Sequence, residues 1–266
     1  MSDTETVTHH RVCHLCEAMC GLVIQTEGAR VVDIRGDRAD PLSRGHICPK
    51  AVALQDIHED PDRLRKPLKR VRSAPGVYHH EAIEWGEAFD LAADALAATI
   101  RDHGVDAVGA YFGNPAVHNY GMLTHQRNLF RHIRTRNRFS ATSVDQLPHH
   151  LVSLWCFGHM LLQPIPDVDR THYFLMLGAN PLASNGSLWT VPDVRRRLKD
   201  LQARGGKLVV IDPRRTETAE MASEHHFIKP GTDATFLLAM IHVLFRDGLV
   251  DPGAMKSYTD GVEEVG

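Results

Sequence analysis

Four of the five cysteines in this 266-residue chain stand at Cys13, Cys16, Cys20 and Cys48, a C-x2-C-x3-C-x27-C spacing confined to the first fifth of the sequence. Four thiolates are the ligand set of a 4Fe-4S cluster. Three of them in one tight loop can cap three irons of a cubane while a distant fourth closes it. Zinc is the alternative, because four-cysteine zinc sites also use C-x2-C. Those sites pair two C-x2-C knuckles, whereas here three cysteines lie close and one far off, so the spacing favours iron and sulfide. Thiols clustered in this way suit a reducing compartment better than a secreted disulfide scaffold. Cys156 stands alone in SLWCFGH and is expected to be a buried core thiol.

Further chemistry-bearing residues follow apolar runs. In LGANP, Gly178, Asn180 and Pro181 make a turn in which glycine lets the backbone approach a phosphate and the asparagine amide both donates and accepts. In IDPRRT, Asp212 is suited to a ribose or guanine contact, and Arg214 or Arg215 can reach a phosphate bidentately. The plain alternatives are an ordinary turn, a strand-ending aspartate and two surface arginines. The 18 histidines include adjacent pairs at 9/10, 79/80, 149/150 and 225/226, but these share no ligand spacing and do not read as a zinc site.

The elements that must position these groups show in the hydrophobic pattern. LVIQTEGARVVDIRGD alternates on both sides of Glu27-Gly28, a hairpin that carries the chain from Cys20 toward Cys48. Up to about Lys66 the segment reads as short strands and turns, and Pro61, Pro67 and the basic run RLRKPLKRVR mark a boundary. Phe89, Leu91, Ala92, Leu96 and Ile100 fall at helical spacing within Trp85 to Ile100, with Gly104 placed for a left-handed cap. Ala107 to Phe112 reads as a buried strand and Tyr120 to Arg134 as a helix. Then HYFLML, a helix from Val191 to Arg204, a Gly205-Gly206 break and KLVVIDPR compose a βαβ unit with strands buried on both faces. FIKPGTDATFLLAMIHVLFRDGLVD adds a strand, a Pro-Gly turn and an apolar helix for which Thr232 or Asp233 is the cap.

The expected fold class is α/β. A small N-terminal iron-sulfur segment of short strands (1–66) precedes Rossmann-like α/β layers around a mostly parallel sheet, first in 67–140 and then in a dinucleotide-cofactor-binding part over 141–266. With 30 basic and 33 acidic side chains, the chain lacks the footprint of a nucleic-acid binder or a polybasic membrane-surface protein, and a small-molecule substrate is expected. No stretch approaches the roughly 18 apolar residues of a spanning helix. The start, MSDTETVTHHRVC, has neither a secretory nor a twin-arginine pattern, so a cytoplasmic location is expected.

Three stretches together resemble the prokaryotic molybdopterin oxidoreductases, the group of formate dehydrogenases, nitrate reductases and dimethyl sulfoxide reductase. They are the cysteine run with GHICPKAVALQDIHEDPDRLRKPLKR, LGANPLASNGS, and VVIDPRRTETAEMASEHHFIKPGTDATFLLAM, in the family's order and over nearly the whole chain. The resemblance implies a molybdenum or tungsten ion held by two molybdopterin guanine dinucleotides (the bis form), with the 4Fe-4S cluster passing single electrons onward. It places Lys50 between cluster and pterin. Pro230, Gly231, Thr232 and Asp233 match a guanine-dinucleotide contact, Asp233 standing at the guanine-binding carboxylate.

The resemblance further implies a protein ligand to the metal from a loop some three dozen residues before the G-x-N-P turn. That window, FSATSVDQLPHH, holds no cysteine; Asp145, 35 residues before Asn180, is the preferred hard oxygen ligand and Ser143 the alternative. His149 and His150 follow closely enough for one, His150 foremost, to donate a proton. Family members are considerably longer. The C-terminal part of their architecture has no counterpart here, so exposed apolar surface is expected, together with a redox partner or electron-transfer subunit; a truncated gene is the first explanation of the length, and a separate chain supplying the missing C-terminal half is the alternative. A non-catalytic electron-transfer or scaffold subunit that keeps only the cluster is the alternative function, as is an inactive truncated fragment.

Overall fold

A computed structural model describes residues 5–113 and 115–265. The architecture is mixed α/β with small sheets, and by contacts the chain divides into two units: residues up to Pro166 with Ser187–Asp193, and Asp167–Gly186 with the chain from Val194 onward.

The first unit begins with β1 (Thr6–Val12), β2 (Gly21–Glu27) and β3 (Arg30–Gly36), an antiparallel sheet in the order β1-β2-β3. The hairpin expected around Glu27-Gly28 is β2–β3, with Gly28 at φ +60° in the turn. Two short helices, α1 (Pro49–Val52) and α2 (Leu54–Glu59), occupy a stretch that reads as strands and turns in the sequence. Pro49 opens α1, where a missing N–H costs nothing. The core here is small: Ala18, Leu22, Ile34 and Ala51 are buried together with Cys13 and Cys20, and Ile24, Val31, Ile47 and Leu54 pack against them.

The basic run is not only a boundary. Its second half is β4 (Leu68–Ala74), paired with β5 (Val77–Ala82) across Pro75-Gly76. α3 (Trp85–His103) is the expected helix, and Gly104 ends it by donating its N–H to Ile100 O at 2.9 Å. With φ +85° and ψ 164°, that glycine is not in the left-handed helical region; it uses an extended positive-φ conformation that side chains disfavour. β6 (Ala110–Phe112) is shorter than the buried strand expected over Ala107–Phe112. A 3-10 turn takes Val105–Ala107, Tyr111 is 72% exposed, and β6 pairs in parallel with β7 (Arg138–Ser140) alone among the described residues. Between them lie α4 (Pro115–His118) and α5 (Tyr120–Ile133), the latter capped by Asn119, whose side chain accepts from Met122 N at 3.0 Å. In α6 (Leu147–Phe157) only Ser153 is buried, and Cys156 is exposed, not the core thiol expected. The reason is that the helix's other apolar residues, among them Trp155 and Leu151, are likewise uncovered.

The second unit contains β8 (Tyr173–Leu177), α7 (Pro181–Ser184), α8 (Val194–Ala203), β9 (Lys207–Ile211), α9 (Glu217–Met221), β10 (Glu224–His226) and α10 (Asp233–Arg246). The three strands form a parallel sheet in the order β10-β9-β8, so the expected βαβ unit is present. α8 starts at Val194, not Val191, because Asp193 takes φ +55° after Pro192. Leu198 and Leu201 of α8 and Leu208 and Val210 of β9 are fully buried, each contributing roughly 1.5–3 kcal/mol relative to exposure. Arg197 reaches Asp169 at 2.9 Å, and Arg204 bonds the carbonyls of Val168 and Thr171. Thr232 is the residue before α10, but its hydroxyl donates to Lys229 O at 2.6 Å and does not cap the helix. No helix among the described residues is long and apolar enough to cross a membrane.

Candidate functional site

The cysteine loop is set by the sheet beneath it. Val12 pairs with Gly21, and Cys13 N donates to Cys20 O at 2.8 Å, which closes the loop 13–20 at its base. Met19, at φ +52°, tightens the return. Cys48 arrives by a separate arm, residues 37–47, that must fold back over the sheet. Two glycines make that return sterically possible: a Cβ on Gly36 would stand 2.1 Å from Gly45 O, and one on Gly21 would stand 2.6 Å from Asp40 Cβ.

Polar bonds then fasten the arm. Gly21 N donates to Ser43 Oγ at 3.0 Å, and Ser43 donates through both N and Oγ to Asp40 Oδ2 at 2.6 Å. Ser43 is 2% exposed, so this bond set lies in the interior. The Ser43 hydroxyl first, then its N–H, hold the Asp40 carboxyl below the usual aspartate range. None of Gly21, Gly36, Asp40 or Ser43 stands out in the sequence by type or spacing.

All five cysteines are free thiols; Cys13 and Cys20 are buried, and Cys16 and Cys48 partly so. Burial pushes the Cys20 thiol up to about 11, and the negative charges of Cys13, Cys16 and Cys48 add to it. Cys13 is raised by burial too, with Cys16 and Cys48 adding. Cys13 and Cys20 thus each feel the other clustered sulfurs, and four thiolates there demand positive charge among them. Among the described residues no three Cys, His, Asp or Glu side chains close on a single metal ion. A cubane gives each thiolate its own iron, so this clustered sulfur set fits that group. Lys50 is exposed on α1, two residues after Cys48.

In the second unit, Leu177, Ile211 and His226 share one row of the sheet, so the three segments that follow them leave the same edge. Gly178 N bonds Ile211 O at 2.9 Å and Asp212 N bonds His226 O at 3.1 Å, extending the ladder one residue beyond the strands. This is the carboxyl edge, where open α/β sheets bind dinucleotides. Asn180 staples the first two segments: its Nδ2 donates to Glu217 Oε2 at 2.7 Å and its Oδ1 accepts from the Thr218 hydroxyl at 2.7 Å. Pro181 opens α7 and is buried.

Asp212 is 7% exposed and its Oδ1 accepts from Arg214 N at 2.7 Å, holding the turn after β9. Arg214 and Arg215 are exposed there. Thr216 caps α9 by accepting from Ala219 N at 3.1 Å. Thr216, Glu217 and Thr218 went unnoticed in the sequence, although a threonine before an acidic first turn is a helix-start signal. Pro230 and Gly231 make the next turn, Gly231 at φ +82°, and Asp233 is exposed at the first position of α10.

The remaining candidates belong to the first unit. Asp145 is exposed and follows the 3-10 turn Ala141–Val144, its N–H directed at Thr142 O at 3.4 Å. The Ser143 hydroxyl is occupied, donating to Ser140 O at 3.2 Å. His150 is half-buried with Nε2 3.4 Å from Gln146 Oε1, and His149 is exposed.

The family model for molybdopterin oxidoreductases matches residues 63–265, and that for the molybdopterin oxidoreductase Fe4S4 domain matches residues 6–59. The chain belongs to the molybdopterin oxidoreductase family. This molybdopterin oxidoreductase chain is 30% identical over 264 residues to the probable oxidoreductase YoaE of Bacillus subtilis, covering 96% of this chain and 36% of that protein. It is 26% identical over 255 residues to the F420-dependent formate dehydrogenase subunit alpha of Methanocaldococcus jannaschii, covering 96% and 35%. The structure of acetylene hydratase from Pelobacter acetylenicus superposes with a TM-score of 0.72 at 28% identity, over 96% of this chain and 34% of the other. The chain thus spans about a third of the length of these relatives. The Fe4S4 match contains all four clustered cysteines.

Proposed function

We propose that this chain is the N-terminal portion of the catalytic subunit of a molybdopterin-dependent oxidoreductase. Cys13, Cys16, Cys20 and Cys48 hold a 4Fe-4S cluster, and the loops at Gly178–Pro181, Asp212–Arg214 and Pro230–Asp233 hold molybdopterin guanine dinucleotide in its bis form. When bound, that cofactor supplies two-electron redox chemistry at molybdenum or tungsten, and the cluster carries electrons singly. The observation that carries the reading is the quartet of free cysteines, two of them buried, inside the segment matched to an Fe4S4 domain.

This chain's own residues have separable tasks. The bond set Gly21–Ser43–Asp40 orients the Cys48 arm, and burial of Cys13 and Cys20 keeps water from two of the ligands. Asn180 holds the first cofactor loop against the second, while Asp212 fixes the second loop's turn and Arg214 offers a guanidinium to phosphate. Asp145 is the protein ligand to the metal, with Ser143 second because its hydroxyl is already engaged. Lys50 places a positive charge two residues after Cys48 in the first turn of α1, and His150 supplies a proton. A small-molecule substrate, a redox partner or electron-transfer subunit, and the remaining two thirds of the relatives' length complete the enzyme. The name of the formate dehydrogenase relative, a subunit alpha, supports the expectation of partners.

The test is analysis of molybdenum, tungsten and released pterin in anaerobically purified protein. Pterin at about two per metal supports the reading. Iron and sulfide without pterin or heavy metal would leave an electron-transfer subunit in its place.

A further inference from the structure

A cavity of about 520 Å³ beside the end of α5 is lined by Phe112, Gln126, Phe130 and four arginines, Arg127, Arg131, Arg134 and Arg138. No Asp or Glu lines it. The neighbouring loop shows what a structural arginine looks like here: Arg136 grips Asp106 through Nη2 and Nε at 2.9 and 3.1 Å. The cavity arginines differ. Arg134 gives Nε to Arg131 O at 3.4 Å, and Arg138 gives Nε to Thr135 O at 3.0 Å and Nη2 to Phe130 O at 3.2 Å, all backbone carbonyls, while the Arg138 guanidinium also lies 5.4 Å over the Phe130 ring; neither meets a carboxylate among the described residues. Among the described residues Arg127 and Arg131 pair with no carboxylate.

Four guanidinium groups with no carboxylate partner among the described residues repel one another around one concavity, and each presents donors in the fork geometry that matches phosphate oxygens. The helix C-terminus offers them only partial negative charge. Phe112 and Phe130 meet edge-on in the same wall, with ring centroids 5.0 Å apart, and offer apolar surface beside the charges. Gln126 contributes no donor to the cavity, because its Nε2 donates to Ala116 O at 3.3 Å. The volume exceeds what a single phosphate fills and falls in the range of small-ligand sites.

We propose that this cavity binds the polyphosphate group of a small molecule. It is lined by residues of the first unit alone and does not depend on the reading of the cofactor loops. Two sources share the chemistry, an inorganic polyphosphate and a phosphate ester of a planar group, and the aromatic wall distinguishes them.

Calorimetric titration of the full chain with inorganic pyrophosphate, and in parallel with ADP, tests the site. Expected is saturable one-to-one binding that weakens as ionic strength rises and falls at least about tenfold in the double variant Arg127→Gln/Arg131→Gln. Tighter ADP than pyrophosphate assigns a planar phosphate ester, and equal affinity assigns the inorganic ligand. No saturable binding of either, or binding that both substitutions leave unchanged, overturns the proposal. Both arginines are exposed, so far-ultraviolet circular dichroism of the variant should match the parent; Arg127→Gln alone gives a second, milder test with the same direction of effect.

Discussion

The cysteine segment and the parallel sheet solve the problem of holding a cofactor in opposite ways. In the first, the candidate ligands are themselves core: Cys13 and Cys20 are buried alongside Leu22, Ile34, Ala18 and Ala51, and few other apolar side chains are fully enclosed. In the second, Leu198, Leu201, Leu208 and Val210 make a core with no functional group in it, and the candidate contacts sit on loops beyond the strand ends. The difference teaches that cluster and fold should be lost together in the first region, whereas pterin binding should be separable from folding in the second.

The largest effect that could break this comparison is loss of one cysteine. Cys48→Ala should abolish nearly all cluster iron and greatly speed amide exchange over residues 6–59, read by hydrogen-exchange mass spectrometry, with exchange over 172–226 unchanged. Retention of full iron would remove Cys48 from the ligand set. Next in size, Leu208→Ala should destabilise the sheet by about 2–5 kcal/mol through the cavity it leaves, while cluster iron stays constant. A fall in iron of the same proportion would show that the two regions are not separable.

A smaller effect concerns the Cys48 arm. Ser43→Ala removes the acceptor of Gly21 N and a donor to Asp40, and should cost about 1–3 kcal/mol, visible as faster cluster loss under a chelator. The same bonds give a pH dependence. The Asp40 carboxyl is held below its unfolded value, so its stabilisation is full above the ordinary aspartate range and fades as pH falls through the folded value. Cluster retention in parent protein should therefore drop on acidification below about pH 4, and Asp40→Asn should flatten that part of the profile. The smallest effect is Asn180→Ala, about 1 kcal/mol of stability, yet it should lower the pterin content because two loops lose their staple. Unchanged pterin would place the cofactor contact elsewhere.

Much of this was legible in the residues. The hairpin at Glu27-Gly28 follows from the alternating pattern on both sides of that turn, and the βαβ unit from two apolar runs around an amphipathic helix broken by Gly205-Gly206. Elements that depend on local turn chemistry were harder to see. β4–β5 lies within a charged stretch whose turn signal is only Pro75-Gly76, and α1 and α2 are too short for a hydrophobic period. Burial was the least legible property. Cys156 and Tyr111 look like core by type, but a residue is buried only if something covers it, and hydrophobic pattern does not report the cover. At the cysteine site, the ligand candidates declare themselves by spacing. Gly21, Gly36, Asp40 and Ser43 do not, because their role is a close approach between segments distant in sequence.

The most direct test of the account is the count of iron and acid-labile sulfide per chain in protein purified without oxygen. About four of each, with zinc near zero, is the predicted result. About one zinc per chain with no sulfide would contradict it.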